Sequence, residues 1–207
     1  RRGHDVAWAV HRSAVGHLLP EGAAVHDLGD AFLHDAAALV PERDRLRGAG
    51  ALRFLWERFL APAARAMDGP VDAAVRAFRP DVVVADQQAF AGPVVAERHG
   101  LAWVTSASTS SEFVDPLGAL PKVAEWVTTT RDDLLASLGV PEARLGTLDP
   151  RFSPYLTLLY STEALAGPLP AERFPALRCV GPVLAGRPGG DFPGAWLDGY
   201  ESTVLVS

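Results

Sequence analysis

The stretch from Arg79 to Ser106, RPDVVVADQQAFAGPVVAERHGLAWVTS, leaves this chain few folds to choose from. Asp81-Val82-Val83-Val84-Ala85 is a short, unbroken apolar run rich in β-branched residues, the pattern of a strand buried on both faces of a parallel sheet. It stops at a lone carboxylate, Asp86. An Ala- and Val-rich segment from Ala89 to His99 follows and closes on Gly100, a natural residue just past a helix end. A second apolar run, Leu101-Ala102-Trp103-Val104, stops in a cluster of hydroxyls: Thr105, Ser106, Ser108, Thr109, Ser110 and Ser111. Strand, helix and strand at this spacing make a βαβ unit with a right-handed crossover. In open α/β sheets ligands bind at the carboxyl ends of the strands, where Asp86 and the hydroxyls are placed.

Composition narrows the functions. The chain's 207 residues, 48% hydrophobic and 21% charged, suffice for one domain with a full core. Its 19 basic residues against 25 acidic ones give a formal charge of −6. With no basic cluster, nucleic acid is a poor partner, because phosphate contacts need concentrated Lys and Arg. A single cysteine, Cys179, excludes an internal disulfide and a cysteine cage for a metal, so a cytoplasmic location is expected. No apolar run approaches the ~20 residues that span a bilayer.

Along the chain, Asp5–Val10 reads as a strand, His11–Gly22 as a short helix or loop, and Ala24–Leu28 as another short strand. Gly29–Gly50 has weak periodicity and reads as an irregular, ligand-facing segment. Leu52, Leu55, Trp56, Phe59, Leu60, Ala63 and Met67 then recur at helical spacing. Pro62 is expected to kink that helix unless its carbonyl partner is lost locally, and Asp68-Gly69-Pro70 to break it, with Val71, Ala74, Val75 and Phe78 continuing the stripe on a second piece. Arg79-Pro80 ends it. Later come a helix over Pro121–Leu138 and strands over Tyr155–Ser161 and Arg178–Pro182. The Gly- and Pro-rich composition from Leu184 reads as a linker, with one helical turn over Ala195–Tyr200 and a last strand over 203–207. The expected class is α/β: a Rossmann-like doubly wound parallel sheet with Asp81–Ala85 central, flanked by Leu101–Val104 and by Asp5–Val10 or a missing neighbour.

No self-sufficient catalytic motif is present: no dinucleotide or phosphate-binding glycine loop, no HExxH and no GxSxG. The six histidines (His4, His11, His17, His26, His34, His99) lack ligand spacing, and a surface or structural role fits each. Asp86 has two readings. It is either an N-cap of the following helix or a carboxylate that orients and charges a catalytic imidazole. Trp56 and Phe59 are likewise either core or pocket wall.

The order of these elements resembles the N-terminal half of a GT-B glycosyltransferase, in the nucleotide-sugar-dependent family that includes the antibiotic and macrolide glycosyltransferases. Arg2-Gly3-His4-Asp5-Val6 before a strand carries the resemblance, as do Arg79–Asp86 and Arg98-His99-Gly100-Leu101-Ala102. Cys179-Val180-Gly181-Pro182 before a linker resembles the exit from that family's N-terminal domain, and Val204-Leu205-Val206-Ser207 the first strand of its donor domain. The resemblance implies a division into an acceptor-binding domain over 1–183, lacking the family's first strand and helix, a linker over 184–202, and the start of a donor-binding domain at 203–207. It implies a GT-B fold truncated at both ends.

The implied reaction is an inverting transfer of a sugar from a nucleotide diphosphate, UDP or dTDP, to a hydroxyl of a small lipophilic natural product. A histidine would take the hydroxyl proton as it attacks the anomeric carbon. Asp86 would sit, sheltered, behind that histidine, fixing its tautomer and stabilising its cation. In the family the histidine lies in the loop after the first strand, so none of the six here is given the role. The acceptor would lie against Gly29–Gly50, Trp56, Gln87, Gln88 and Phe90, and against 106–120 with Ser106, Ser108 and Phe113. No metal and no cofactor is implied beyond the nucleotide sugar as co-substrate, bound through the other domain. A homodimer is left open, and the stretch alone is expected to be inactive. Two other readings stand beside this one: a non-catalytic, flavodoxin-like binding or regulatory domain, and a GT-B enzyme with a lipid or glycan acceptor.

Overall fold

The computed structural model describes residues 3–183 and 194–202. Arg2 of the first motif, most of the expected linker and the strand expected over 203–207 lie outside the described residues. Strands and helices alternate in the order β1 (Ala7–Val10), α1 (Arg12–Val15), β2 (Ala24–Asp27), α2 (Ala31–Ala38), α3 (Val40–Arg43), α4 (Gly48–Phe54), α5 (Ala61–Phe78), β3 (Val82–Asp86), α6 (Ala91–Arg98), β4 (Ala102–Ala107), α7 (Pro121–Ser137), β5 (Leu156–Leu159), α8 (Glu163–Ala166) and β6 (Leu177–Cys179). All pairings are parallel. β1 pairs with β2, and a second sheet runs β3-β4-β5-β6, with Asp86 in register with Ser106 and Thr105 with Thr157. This is the α/β, Rossmann-like arrangement that the alternation predicts.

β3 is not central among the described strands. It pairs with β4 alone and forms an edge of its sheet, while β1 and β2 stand as a separate pair. Val82 and Val84 are 45% and 63% exposed, whereas Ala85 is buried. An apolar run on both faces becomes a buried strand only where something packs on both. Here only the face of Val83 and Ala85 is covered, by α6. Helix and strand touch closely at Gly92, where an added Cβ would lie 2.8 Å from the Cβ of Ala85. That approach lets Val94, Val95 and Ala96 reach full burial.

The chain from residue 29 to the end of α5 departs from expectation at residues 29–50 and at Pro70. Residues 29–50 are largely helical: Phe32, Leu33, Ala36 and Leu39 form a half-buried stripe at helical spacing, diluted in the sequence by alanines. At Pro62 the regular carbonyl partner is lost locally, and the helix runs on through it. Leu55–Leu60 form a π-helical turn in which the Ala61 N–H donates to the Trp56 carbonyl, five residues back. The carbonyls that Pro62 leaves without a donor belong to the exposed Glu57 and Arg58 side of the turn. Nor does Pro70 break the helix, for α5 continues through it to Phe78. Ala66, whose carbonyl loses its helical donor to Pro70, faces solvent and can be hydrated. Arg79 ends α5 in the left-handed conformation, φ 54°, with its N–H on the Val75 carbonyl, and Pro80 prevents continuation.

The main core gathers Trp56, Leu60, Phe90, Val94, Trp103, Leu134 and Leu135. Each such side chain contributes about 1.5–3 kcal/mol by leaving water. Trp103, Thr105 and Ala107 alternate inward along β4. Thr105, one of the expected ligand-facing hydroxyls, is structural instead: its Oγ1 accepts from the Ser153 N–H at 2.9 Å, and the Ser153 hydroxyl donates to the Trp103 carbonyl at 2.6 Å. Among the described residues no helix is long and apolar enough to cross a membrane.

The Gly92 contact is testable. Gly92→Ala removes a glycine from a helix, worth up to about 1 kcal/mol, but forces a methyl onto the rigid Ala85 Cβ, an overpacking of about 1–3 kcal/mol. The second effect wins, so thermal unfolding should show a melting temperature several degrees lower, and Gly92→Val should lower it further. An unchanged or raised melting temperature for Gly92→Ala would contradict the close approach.

Candidate functional site

The carboxyl end of β3 turns within five residues. The Gln87 N–H donates to the Ser106 carbonyl at 3.0 Å, carrying the ladder to β4 one residue past the strand. The Ala89 N–H then returns to the Asp86 carbonyl at 2.9 Å. The Asp86 carboxylate accepts from the Gln88 N–H at 2.9 Å, the local Asx turn that aspartate favours. It is not the N-cap of α6, where Phe90 stands with no side-chain cap.

Strand alternation sends neighbours to opposite faces. Asp86 follows Val82 and Val84 onto the open face and is exposed, not sheltered. Gln87 follows Val83 and Ala85 onto the covered face and is 3% exposed. There it meets a cavity of about 20 Å³, room for one water-sized group. Trp56, Leu60 and Phe90 supply apolar walls, with the Trp56 and Phe90 rings 5.5 Å apart. Gln88, Thr109, Glu112 and Arg151 supply polar ones. The Gln87 Nε2 has no hydrogen-bond partner, and leaving such a buried donor unmatched costs about 1–3 kcal/mol.

Arg151 is the electrostatic centre of the cavity's rim. Its Nε and Nη2 donate to the two oxygens of Asp149 at 2.9 and 2.8 Å, and its Nη1 to Glu112 at 2.6 Å. Its guanidinium lies 5.5 Å from the centre of the Trp56 ring and 5.1 Å from that of Phe152, within cation–π range. Arg131 adds a second cation on Asp149 at 3.1 Å. Burial works to raise the Asp149 pKa, but the Arg151 hydrogen bonds and the charges of Arg151 and Arg131 outweigh it and hold the carboxyl below the ordinary range.

Of the residues singled out in the sequence, Trp56, Gln87, Gln88 and Phe90 meet at this cavity, with Trp56 and Phe90 also part of the core. Ser106 is half-buried opposite Asp86, and Ser108 is exposed. Phe113 goes elsewhere. It is fully buried in a separate aromatic cluster with Phe152 and Phe174, at 5.3 and 5.1 Å, and lines no part of the cavity. Residues 29–50 contribute nothing to its lining either. Sequence reasoning missed Arg151, which lies between the helix read over Pro121–Leu138 and the strand read over Tyr155–Ser161. The only local hint is the Asp149-Pro150-Arg151 charge pair. Among the described residues no histidine hydrogen-bonds to Asp86, and no group of three or more His, Cys, Asp or Glu could hold a metal ion.

No protein-family model matches the chain, and no curated protein sequence does. Solved structures do. The glycotransferase of kitacinnamycin matches at 20% identity with a TM-score of 0.57, over 92% of this chain and 47% of that one. CalG4, the calicheamicin glycosyltransferase, matches at 20% identity with a TM-score of 0.58, over 89% and 47%. The chain shares the fold of the matched half of these two structures. The chain spans about half the length of each of these two structures.

The Asp149 network gives a second test. A carboxyl held below its usual value of 3.8 stabilises the fold fully above that pH, and the contribution disappears as pH falls through the lowered value. Asp149→Asn leaves Arg151 and Arg131 short of a counter-charge, an expected loss of about 3 kcal/mol at neutral pH. Denaturant unfolding against pH should show that loss, with a flatter acid limb than the wild type. A variant that keeps both the stability and the acid limb would show that Arg151 does not depend on Asp149.

Proposed function

We propose that this chain is the acceptor side of a glycosyltransferase that moves a sugar from a nucleotide diphosphate to a hydroxyl of a small lipophilic natural product. The observation that carries the reading is the fold match over about nine-tenths of the chain, at about half the length of the glycosyltransferases of kitacinnamycin and calicheamicin. The cleft supports it. At the carboxyl end of β3, where open α/β sheets bind ligands, the Asp86 carboxylate stands on the open face, and a small cavity walled by Trp56, Leu60 and Phe90 lies under the covered face beside it.

In this proposal residues 1–183 hold the acceptor, 184–202 join the two halves, and 203–207 begin the half that holds the nucleotide sugar. Asp86, rigid in its Asx turn, presents its second oxygen to a histidine contributed from outside these residues. The carboxylate keeps the imidazole in the tautomer that accepts the acceptor's proton and stabilises the cation that forms. Sugar–oxygen bond formation and loss of the nucleotide diphosphate are then one displacement, inverting the anomeric centre. The location is cytoplasmic, and no metal takes part.

Asp86→Asn in the intact protein is the test. The amide oxygen still accepts from the Gln88 N–H, so the turn and the melting temperature should be kept. The charge behind the imidazole is lost. The same change in a serine protease costs about 10⁴ in turnover, and an acidic acceptor hydroxyl needing less help would reduce the loss to roughly 10². Turnover is measured at saturating nucleotide sugar and acceptor. Unchanged turnover would make Asp86 a turn residue and remove the mechanism.

A further inference from the structure

We infer that the small cavity beside Gln87 anchors a second hydroxyl of the acceptor, which donates to the Gln87 carbonyl and accepts from the Trp56 indole N–H, so that the ligand is at least a diol. The inference rests on reading the cleft as an acceptor site, and adds the chemistry that the acceptor carries.

Trp56 and Gln87 are 2% and 3% exposed, and both line the cavity. Two side-chain nitrogens among the described residues are sealed from solvent without a partner, Gln87 Nε2 and Trp103 Nε1. The Gln87 carbonyl oxygen and the Trp56 N–H are in a different state. Neither is sealed, and neither has a hydrogen-bond partner among the described residues. On side chains so deeply enclosed, the surface left open is the one that lines the cavity. An entering group therefore meets one donor and one acceptor. The space of about 20 Å³ admits a single oxygen-sized group and no ring, so the body of the ligand lies outside, toward the exposed Gln88 and Thr109.

The neighbours fix the chemistry. Arg151 is committed to Asp149 and Glu112, and the Thr109 hydroxyl is bonded to that of Ser111. A carbonyl oxygen or an anion would set its lone pairs against the Gln87 carbonyl and the Glu112 carboxylate. An ammonium would meet the Trp56 N–H donor to donor and lie beside the Arg151 guanidinium. A hydroxyl matches both open groups, because it donates one hydrogen and accepts through its lone pairs. Water has the same capacities, so the test sets a hydroxyl against a group of its own size that cannot donate. The anchored hydroxyl is not the one that receives the sugar. Asp86 stands on the open face of β3, and the cavity lies under the covered one. A site built to bond a hydroxyl rejects the analogue that lacks it, which makes this pair of side chains a determinant of specificity.

The probes are 6-hydroxyquinoline and 6-fluoroquinoline, which differ only in a fluorine that replaces the hydroxyl and cannot donate. Calorimetric titration of the intact protein should give a dissociation constant about tenfold lower for 6-hydroxyquinoline. In Gln87→Leu, and in Trp56→Phe, which keeps an aromatic ring without the N–H, the preference should shrink to about threefold or less. Gln87→Met, similar in length and without the amide, repeats the test should the leucine variant fold poorly. A full preference that survives in folded variants at both positions overturns the subsite. So does a wild type that binds both probes equally, which would make this a cavity for water only. A wild type that binds neither probe overturns the acceptor reading, and the subsite with it.

Discussion

The contact of α6 with β3 at Gly92 and Ala85 is the constraint on which the rest of this molecule depends. Because the helix has no Cβ there, it lies on the strand closely enough to bury Val94, Val95 and Ala96 completely. That depth leaves only a short path from the end of β3 to the start of α6. The path is held by three backbone or Asx hydrogen bonds, which set Asp86, Gln87 and Gln88 in fixed directions. A glycine in a helix, unfavourable by about 1 kcal/mol as a matter of propensity, is therefore the condition for a rigid turn at the carboxyl end of the strand.

The consequence is that two adjacent polar residues serve different sides. Asp86 faces the open side of β3 with Val82 and Val84, while Gln87 is drawn under the turn toward Trp56 and Phe90. The carboxylate is open to solvent. The amide, by contrast, is enclosed at 3% exposure. One residue step of a β-strand supplies both environments.

Arg151 brings together parts of the chain that are distant in sequence. It ties the loop before β5 to Glu112 after β4 and lies over Trp56 from the π-helical turn. A half-buried guanidinium is tolerable only when its charge and its planar donors are matched, and Asp149 does this with both oxygens. The π turn is the other half of the same joint: it presents Leu55, Trp56 and Leu60 together at the cavity.

Local chemistry determined a great deal from the sequence alone. The β-branched run before Asp86, Gly100 after α6, Arg79-Pro80 after α5 and the hydroxyl-ended run of β4 each carry their structure in nearest-neighbour terms, so the βαβ unit and the α/β class were legible. So was the convergence of Trp56, Gln87, Gln88 and Phe90, because period-two and period-3.6 patterns assign faces. Even the burial of Gln87 follows from its place two residues after Ala85. Tertiary structure alone decided the rest. Whether the second apolar face of β3 is covered depends on partners far along the chain, and Val84 stayed 63% exposed. Prolines 62 and 70 were absorbed because the carbonyls they orphan reach water, which depends on which side of the helix is packed. Phe113 left the cleft for Phe152 and Phe174, and Arg151 joined it, because aromatic packing and charge matching act between residues that meet only in space, and no spacing along the sequence encodes them.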